Sequence, residues 1–450
     1  MKKNNIIFNV TSSFNWHSQP VGIIRTETEI VKAMKKINDI NLKLCIWKGK
    51  GFEEISFHNY MNKERPSFFN RLSSKISKQS LIILNAIFIY LKPFLIFLIN
   101  YLFKIFKKTF FYKIKKNTLI YNYFFNIYLF FINISKPFKF KIGLISFSND
   151  FVINTQLFKK NSSFISVGLE WSESYTNNFF NLKEHGINVI TMCYDLVPIK
   201  FPQYCFTNFS SEFSNFLFKL YYGSTTIITI SDTTNADLMK FYVDNGFKPP
   251  RLQTIHLGSD LSQNISSLNY VSYEKEYILY VSTIESRKNH RLLLNVYKYA
   301  KSLNKKMPIL IFAGRKGWGV DDIFDEINKD SYLKENIKIL NNLTDEELKN
   351  LYKNSKFCLF PSFYEGFGLP VAEALSFGKF TLCSNISSLK EVGGDMLIYV
   401  NSFDYKIWYS KIINLMEDSK KLSFIENKIK NHFVVRTWNH VCKDILKLTL

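Results

Sequence analysis

A chain of 450 residues allows two domains of ordinary size, each with its own buried core, and an apolar content of 46% excludes a disordered or wholly membrane-embedded protein. The formal charge of +22 favours anionic partners, and nucleic acid, acidic lipid and diphosphate substrates are all compatible with it. Six cysteines (Cys45, Cys193, Cys205, Cys358, Cys383, Cys442) lack C-x-x-C spacing, which argues against a zinc cluster or a disulfide framework and fits a reducing cytoplasm.

In chain order, residues 6–10 read as a buried strand; the apolar stretch is too short for a signal peptide and Asn9 breaks it. A loop with Gly22 and Arg25 follows, then a helical pattern over residues 26–37 and a strand at 42–47. Strand, glycine loop, helix and strand open a parallel α/β sheet, and strands at 164–167, 189–192 and 226–230 continue it. Residues 263–275 are polar and aperiodic and are assigned as a linker. A second set then begins, with strands at 277–281, 308–313, 337–340, 357–361 and 379–383 and helices at 290–302, 345–354 and 370–377. The expected architecture is α/β: a Rossmann-like first domain over residues 1–262 and a second over 276–430.

Residues 65–149 stand apart, with 14 lysines and arginines and no acid amid dense Phe, Ile, Leu and Tyr. A membrane-spanning hairpin would carry Lys92-Pro93 at the middle of its first span and six lysines in its loop, against the positive-inside rule. A basic aromatic insertion lying in the interface of an anionic membrane accounts better for this composition, with a helical insertion packed on the first domain as the alternative.

Two segments carry chemistry. In FPSFYEGFGLPVAEAL, residues 360–375, a strand runs into a helix through Gly366 and Gly368, which allow close backbone approach, and a helix N-terminus favours phosphate. Glu365 precedes the helix and Glu373 lies about one turn inside it, so one carboxylate can face a sugar and the other a ribose diol. In STIESRKNH, residues 282–290, Arg287 and Lys288 sit at the carboxyl edge of the sheet, where cations stabilise a departing diphosphate. Gly314-Arg315-Lys316-Gly317 forms a third such loop, and His290 follows the cation pair. No D-x-D triplet occurs, so no metal is assigned and no cofactor is expected beyond a nucleotide-sugar substrate.

These motifs resemble glycosyltransferase family 4, retaining transferases of GT-B fold, and especially its bacterial surface-polysaccharide members. Glu365 and Glu373 match the E-x7-E pair, and VSTIESRKNH resembles the diphosphate-binding loop. PVGIIRTE at residues 20–27, YDLVP at 194–198, ISDTTNADL at 230–238 and HLGSD at 256–260 match more loosely. The resemblance implies GT-B, with two Rossmann-like domains facing across a cleft. Glu365, Arg287 and Lys288 would be catalytic; Glu373, Gly366, Phe367, Gly368, Leu369, Gly314 and Arg315 would bind donor. Gly22, Arg25, Tyr194 and Asp195 would line the acceptor or cleft side, although Tyr194 stands where many members have His. The resemblance further implies that residues 431–450 form a helix returning to the first domain. It implies metal-independent transfer of a hexose or deoxyhexose, mannose foremost, to a lipid-linked saccharide. With the basic insertion, it places the protein peripherally on the cytoplasmic face of the inner membrane, with no nucleic-acid partner. The alternatives are a non-catalytic GT-B membrane scaffold and a basic nucleic-acid-binding protein.

Overall fold

The computed structural model describes residues 4–17, 22–62, 153–171, 174–262, 276–386 and 388–449. The basic insertion at 65–149, the linker at 263–275, and Pro20 and Val21 lie outside the described residues.

The described residues form two sheets. The first half builds β1 (Asn4–Asn9), β2 (Ile40–Trp47), β3 (Phe52–Ile55), β4 (Ser163–Ser166), β5 (Asn188–Cys193), β6 (Thr226–Thr229) and β7 (Leu252–Thr254), in the order β3-β2-β1-β4-β5-β6-β7. All neighbours are parallel except β3, which turns back on β2 through Gly49 at φ 78°. The second half builds β8 (Tyr277–Val281), β9 (Ile309–Ala313), β10 (Ile337–Leu340), β11 (Cys358–Phe360), β12 (Thr381–Ser384) and β13 (Ile398–Val400), all parallel in the order β10-β9-β8-β11-β12-β13. Parallel strands are covered on both faces, which is why β8 and β9 read as unbroken apolar runs and are buried along nearly their whole length.

Each sheet reverses its strand order once, at β1/β4 in the first half and at β8/β11 in the second. At such a reversal the connections leave in opposite directions and open a crevice beyond the carboxyl ends of the strands. The loops after β8 and β11 therefore converge, and these are the two segments that the sequence marks as chemical.

The end of the chain differs from the single helix expected at residues 431–450. The helix Ser419–His432 stops, an extended stretch follows, and Thr437 caps a new helix, Trp438–Leu446, through a capping box with His440. That last helix lies on the helix Ile23–Lys35, with Val441, Cys442 and Ile445 in the core of the first half. Gly258 of HLGSD permits this packing, since a Cβ there would stand 2.7 Å from the Trp438 ring. All six cysteines are free. Among the described residues no helix is long and apolar enough to cross a membrane.

Candidate active site at the second strand reversal

The chain leaves β11 through Pro361 and reaches the helix Leu369–Ser376, which carries Pro at its start, where no amide hydrogen is needed. Gly368 is the N-cap at φ 97°, a left-handed conformation that suits glycine. The turn is held by neighbouring hydroxyls: Ser388 Oγ donates to the Glu365 carbonyl at 3.0 Å and Ser384 Oγ to the Ser362 carbonyl at 2.6 Å. The loop after β8 is tied to the same turn. The Phe363 amide donates to the Arg287 carbonyl at 2.9 Å, and the Tyr280 hydroxyl donates to the Lys288 carbonyl at 2.6 Å.

Arg287, Lys288 and Glu365 consequently meet. Lys288 Nζ donates to Glu365 Oε1 at 2.5 Å, and Arg287 Nη1 lies 3.3 Å from the same oxygen. Arg287 also donates to the Tyr364 carbonyl at 3.0 Å and pairs with Glu285 at 2.9 Å. Glu285, Lys288 and Glu365 are all buried. Burial alone would raise the Glu365 carboxyl, but Lys288 and Arg287 overcome it and hold the group below the usual carboxylate range. Burial and the adjacent Arg287 lower the Lys288 ammonium. Burial would lower the Arg287 guanidinium, but its carboxylate neighbours raise it above its ordinary value. The result is a pair of cations, Lys288 buried and Arg287 partly exposed, fixed on one carboxylate at the strand reversal, an arrangement suited to meeting negative charge on a ligand.

Glu373 lies one turn into its helix, buried, and accepts from Arg25 Nη1 at 2.9 Å and from the Tyr352 hydroxyl at 3.0 Å. Arg25 comes from the first half and also pairs with Asp345. Gly22, at φ 53°, caps the helix that carries Arg25. Thus Arg25 reaches the second glutamate of the motif.

Other expected residues fall in different surroundings. A Cβ on Gly366 would run into the Tyr194 carbonyl oxygen, so this glycine serves a close contact between the halves. Phe367 packs into the core of the first half, beside the His256 ring at 5.8 Å, and Leu369 packs against the same core. The Tyr194 hydroxyl donates to the Val167 carbonyl at 2.5 Å. Asp195 accepts from the Val197 amide at 3.0 Å; burial raises its carboxyl and Arg287 partly offsets this. Gly314 is required by the Ser282 carbonyl, which a Cβ would strike, and the Arg315 guanidinium lies 5.0 Å over the Trp16 ring of the first half. His290 is buried and stacks on Tyr280 at 4.6 Å; burial lowers it to about 3, so it is neutral at physiological pH and belongs to the core.

Sequence reasoning missed two features. An aromatic rim adjoins the cluster: Phe201 against Tyr364 at 5.3 Å, Tyr204 stacked on Phe363 at 5.4 Å, Phe206 against Trp318 at 5.5 Å, and Phe403 on Phe363 at 5.0 Å. Phe206 and Phe403 are 65% and 75% exposed, and the density of rings in FPQYCF, residues 201–206, was the available signal. The second is Glu391, which accepts from the Asp232 and Thr233 amides at 2.7 and 2.8 Å and so caps the helix Asp232–Asp244 from the opposite half. Nothing local in the sequence signals that pairing.

Two Rossmann-like sheets, with a cation–carboxylate cluster at the second reversal, define the class as GT-B. Residues 269–432 match the family described as Glycosyl transferases group 1. The chain is similar to O-antigen chain mannosyltransferase B of Escherichia coli, 31% identical over 200 residues, covering 43% of this chain and 51% of that protein. It is also similar to the serotype-specific mannosyltransferase WbdA of Escherichia coli, 26% identical over 234 residues, covering 49% of this chain and 28% of that one. The chain thus spans about half the length of the first relative and less of the second. Among solved structures, a complex of S. aureus TarM with Fondaparinux, alpha-GlcNAc-glycerol and UDP superposes with a TM-score of 0.51 at 16% identity, over 65% of this chain and 57% of that one, a likeness of fold.

Proposed function

We propose that the chain is a retaining glycosyltransferase of family 4 that moves a hexose or deoxyhexose, mannose foremost, from a nucleotide sugar to a lipid-linked saccharide in surface-polysaccharide synthesis. The observation that carries this reading is the cluster of Glu365, Arg287 and Lys288 at the β8/β11 reversal. A nucleoside diphosphate is a poor leaving group until its developing charge is met, and two fixed cations meet it without reorganisation. Glu365 lies against both, in position to contact the donor sugar. Front-face displacement, with the departing phosphate as base, fits a site in which the nearby carboxylate is already held by cations. The aromatic rim supports the acceptor side, because exposed ring faces suit the C–H faces of a saccharide. The mannosyl preference and polysaccharide setting draw on the similarity to the O-antigen and serotype-specific mannosyltransferases.

The test is transfer from GDP-, UDP- and dTDP-sugars to lipid-linked saccharides by the full chain on anionic vesicles, with the product's anomeric configuration read by NMR. One donor should give a product of the donor's own configuration. Inversion refutes the retaining reading, and absence of transfer from every donor refutes the enzyme.

A further inference from the structure

We propose that Arg25 is a positioning residue that the first half supplies to the donor side of the second, so that the ribose subsite is complete only while the two halves are closed on each other. The inference rests on the reading of Glu373 as the ribose contact.

The geometry is specific. Arg25 lies in the first turn of the helix Ile23–Lys35, and its side chain is 13% exposed. One terminal nitrogen donates to Glu373 Oε1 at 2.9 Å and the other to Asp345. The Tyr352 hydroxyl holds the other Glu373 oxygen at 3.0 Å. Each carboxylate oxygen has two lone-pair positions. Arg25 takes one on Oε1 and Tyr352 takes one on Oε2, which leaves one on each oxygen and fixes the plane of the group. Two parallel acceptor positions on a fixed carboxylate match the paired hydroxyls of a ribose. A lone carboxylate at this depth would be pushed toward its neutral form by burial, and a neutral acid offers one acceptor fewer. Arg25, from the first half, partly offsets that tendency, and the carboxyl still stays above its ordinary value. Because Glu373 and Asp345 both belong to the second half, separating the halves breaks both ion pairs together.

The readout is discrimination between ribose and deoxyribose. Affinities of GDP, 2′-deoxy-GDP, UDP and 2′-deoxy-UDP are measured by calorimetry for the parent protein, Arg25→Ala, Arg25→Lys, Tyr352→Phe and Glu373→Gln. The parent should prefer the ribonucleotide about tenfold, the scale of a hydrogen bond to a charged group. Arg25→Ala should lose most of that preference, chiefly by weaker ribonucleotide binding, and Arg25→Lys should restore part of it. A merely structural arginine would weaken ribo and deoxy forms alike. Full discrimination in Arg25→Ala overturns the proposal and leaves the ribose reading intact. A parent that binds both forms equally, with Glu373→Gln unchanged, overturns the ribose reading and the proposal with it. If Arg25→Ala does not fold, Arg25→Lys and Tyr352→Phe carry the same comparison, each expected to lower the preference.

Discussion

The two strand reversals have the same topology and opposite chemistry. At β1/β4 the buried acids Glu27 and Glu170 receive hydrogen bonds from neutral groups. The Ser13 amide donates to Glu27 at 2.7 Å, and Ser166, itself held by Asn9 at 2.8 Å, donates to Glu170. At β8/β11 the buried acids Glu285 and Glu365 are met by Arg287 and Lys288. Formal charge over the whole chain, however large, does not distinguish these crevices; placement does. Fixed cations at the second crevice suit a diphosphate, and the proposed reaction puts the donor there and the acceptor in the first half.

The comparison breaks most visibly at Glu365. Glu365→Gln keeps the size of the side chain and removes the charge between the cations, and transfer should fall by about 10²–10³ with the circular-dichroism spectrum unchanged. Transfer near the parent rate would remove Glu365 from the chemistry. Next in size, Gly366→Ala forces a methyl group against the Tyr194 carbonyl and should cost about 1–3 kcal/mol of stability in urea unfolding. An unchanged midpoint would show that the halves do not need this close approach.

The first crevice is probed by Glu170→Gln, which should raise the acceptor KM about tenfold while leaving the nucleotide-sugar Kd unmoved, because Glu170 accepts from Ser166 at the first strand reversal and not at the cation cluster. An equal effect on donor binding would erase the division of labour. The smallest effect is expected at Glu391. Burial would raise this carboxyl, but His256, Thr233 and the Asp232 amide lower it to about 2 from an ordinary value of 4.5. The folded value is depressed, so its stabilisation is present above about 4.5 and is lost as pH falls through 2. Glu391→Gln should therefore be less stable than the parent by about 1 kcal/mol at neutral pH, and the two unfolding curves should converge between pH 4.5 and 2. A difference that stays constant over that window would contradict the capping role.

Much of the frame was legible because parallel strands are short apolar runs bounded by turn residues; β8 and the helices His290–Ser302 and Asp345–Asn354 fall where the pattern puts them. β3, with the sequence FEEI, was not legible, since its two exposed acids mask an edge strand that only its pairing with β2 defines. The three-residue strands β7 and β13 are too short for any periodicity. At the site, the nearness of Arg287 and Lys288 to Glu365 could be inferred because both segments leave the carboxyl edge of one sheet. The reach of Arg25 to Glu373 and of Glu391 to the helix Asp232–Asp244 could not, because each joins side chains more than 150 residues apart by packing that no local pattern encodes. Gly366 shows the same limit: a glycine signals close approach, but only the fold reveals that the partner is the Tyr194 carbonyl.

The central claim, a nucleotide-sugar site built on Arg287, Lys288 and Glu365, is tested most directly by thermal stabilisation. GDP-, UDP- and dTDP-sugars are added in excess to the parent protein and to Arg287→Ala, and the melting temperature is followed with concentration. A ligand that binds the folded state raises it by mass action, by about 2.7 kcal/mol of stability at a hundredfold excess over Kd. One donor class should raise the melting temperature of the parent and have little effect on Arg287→Ala. No shift with any nucleotide sugar, or an equal shift in both proteins, would contradict it.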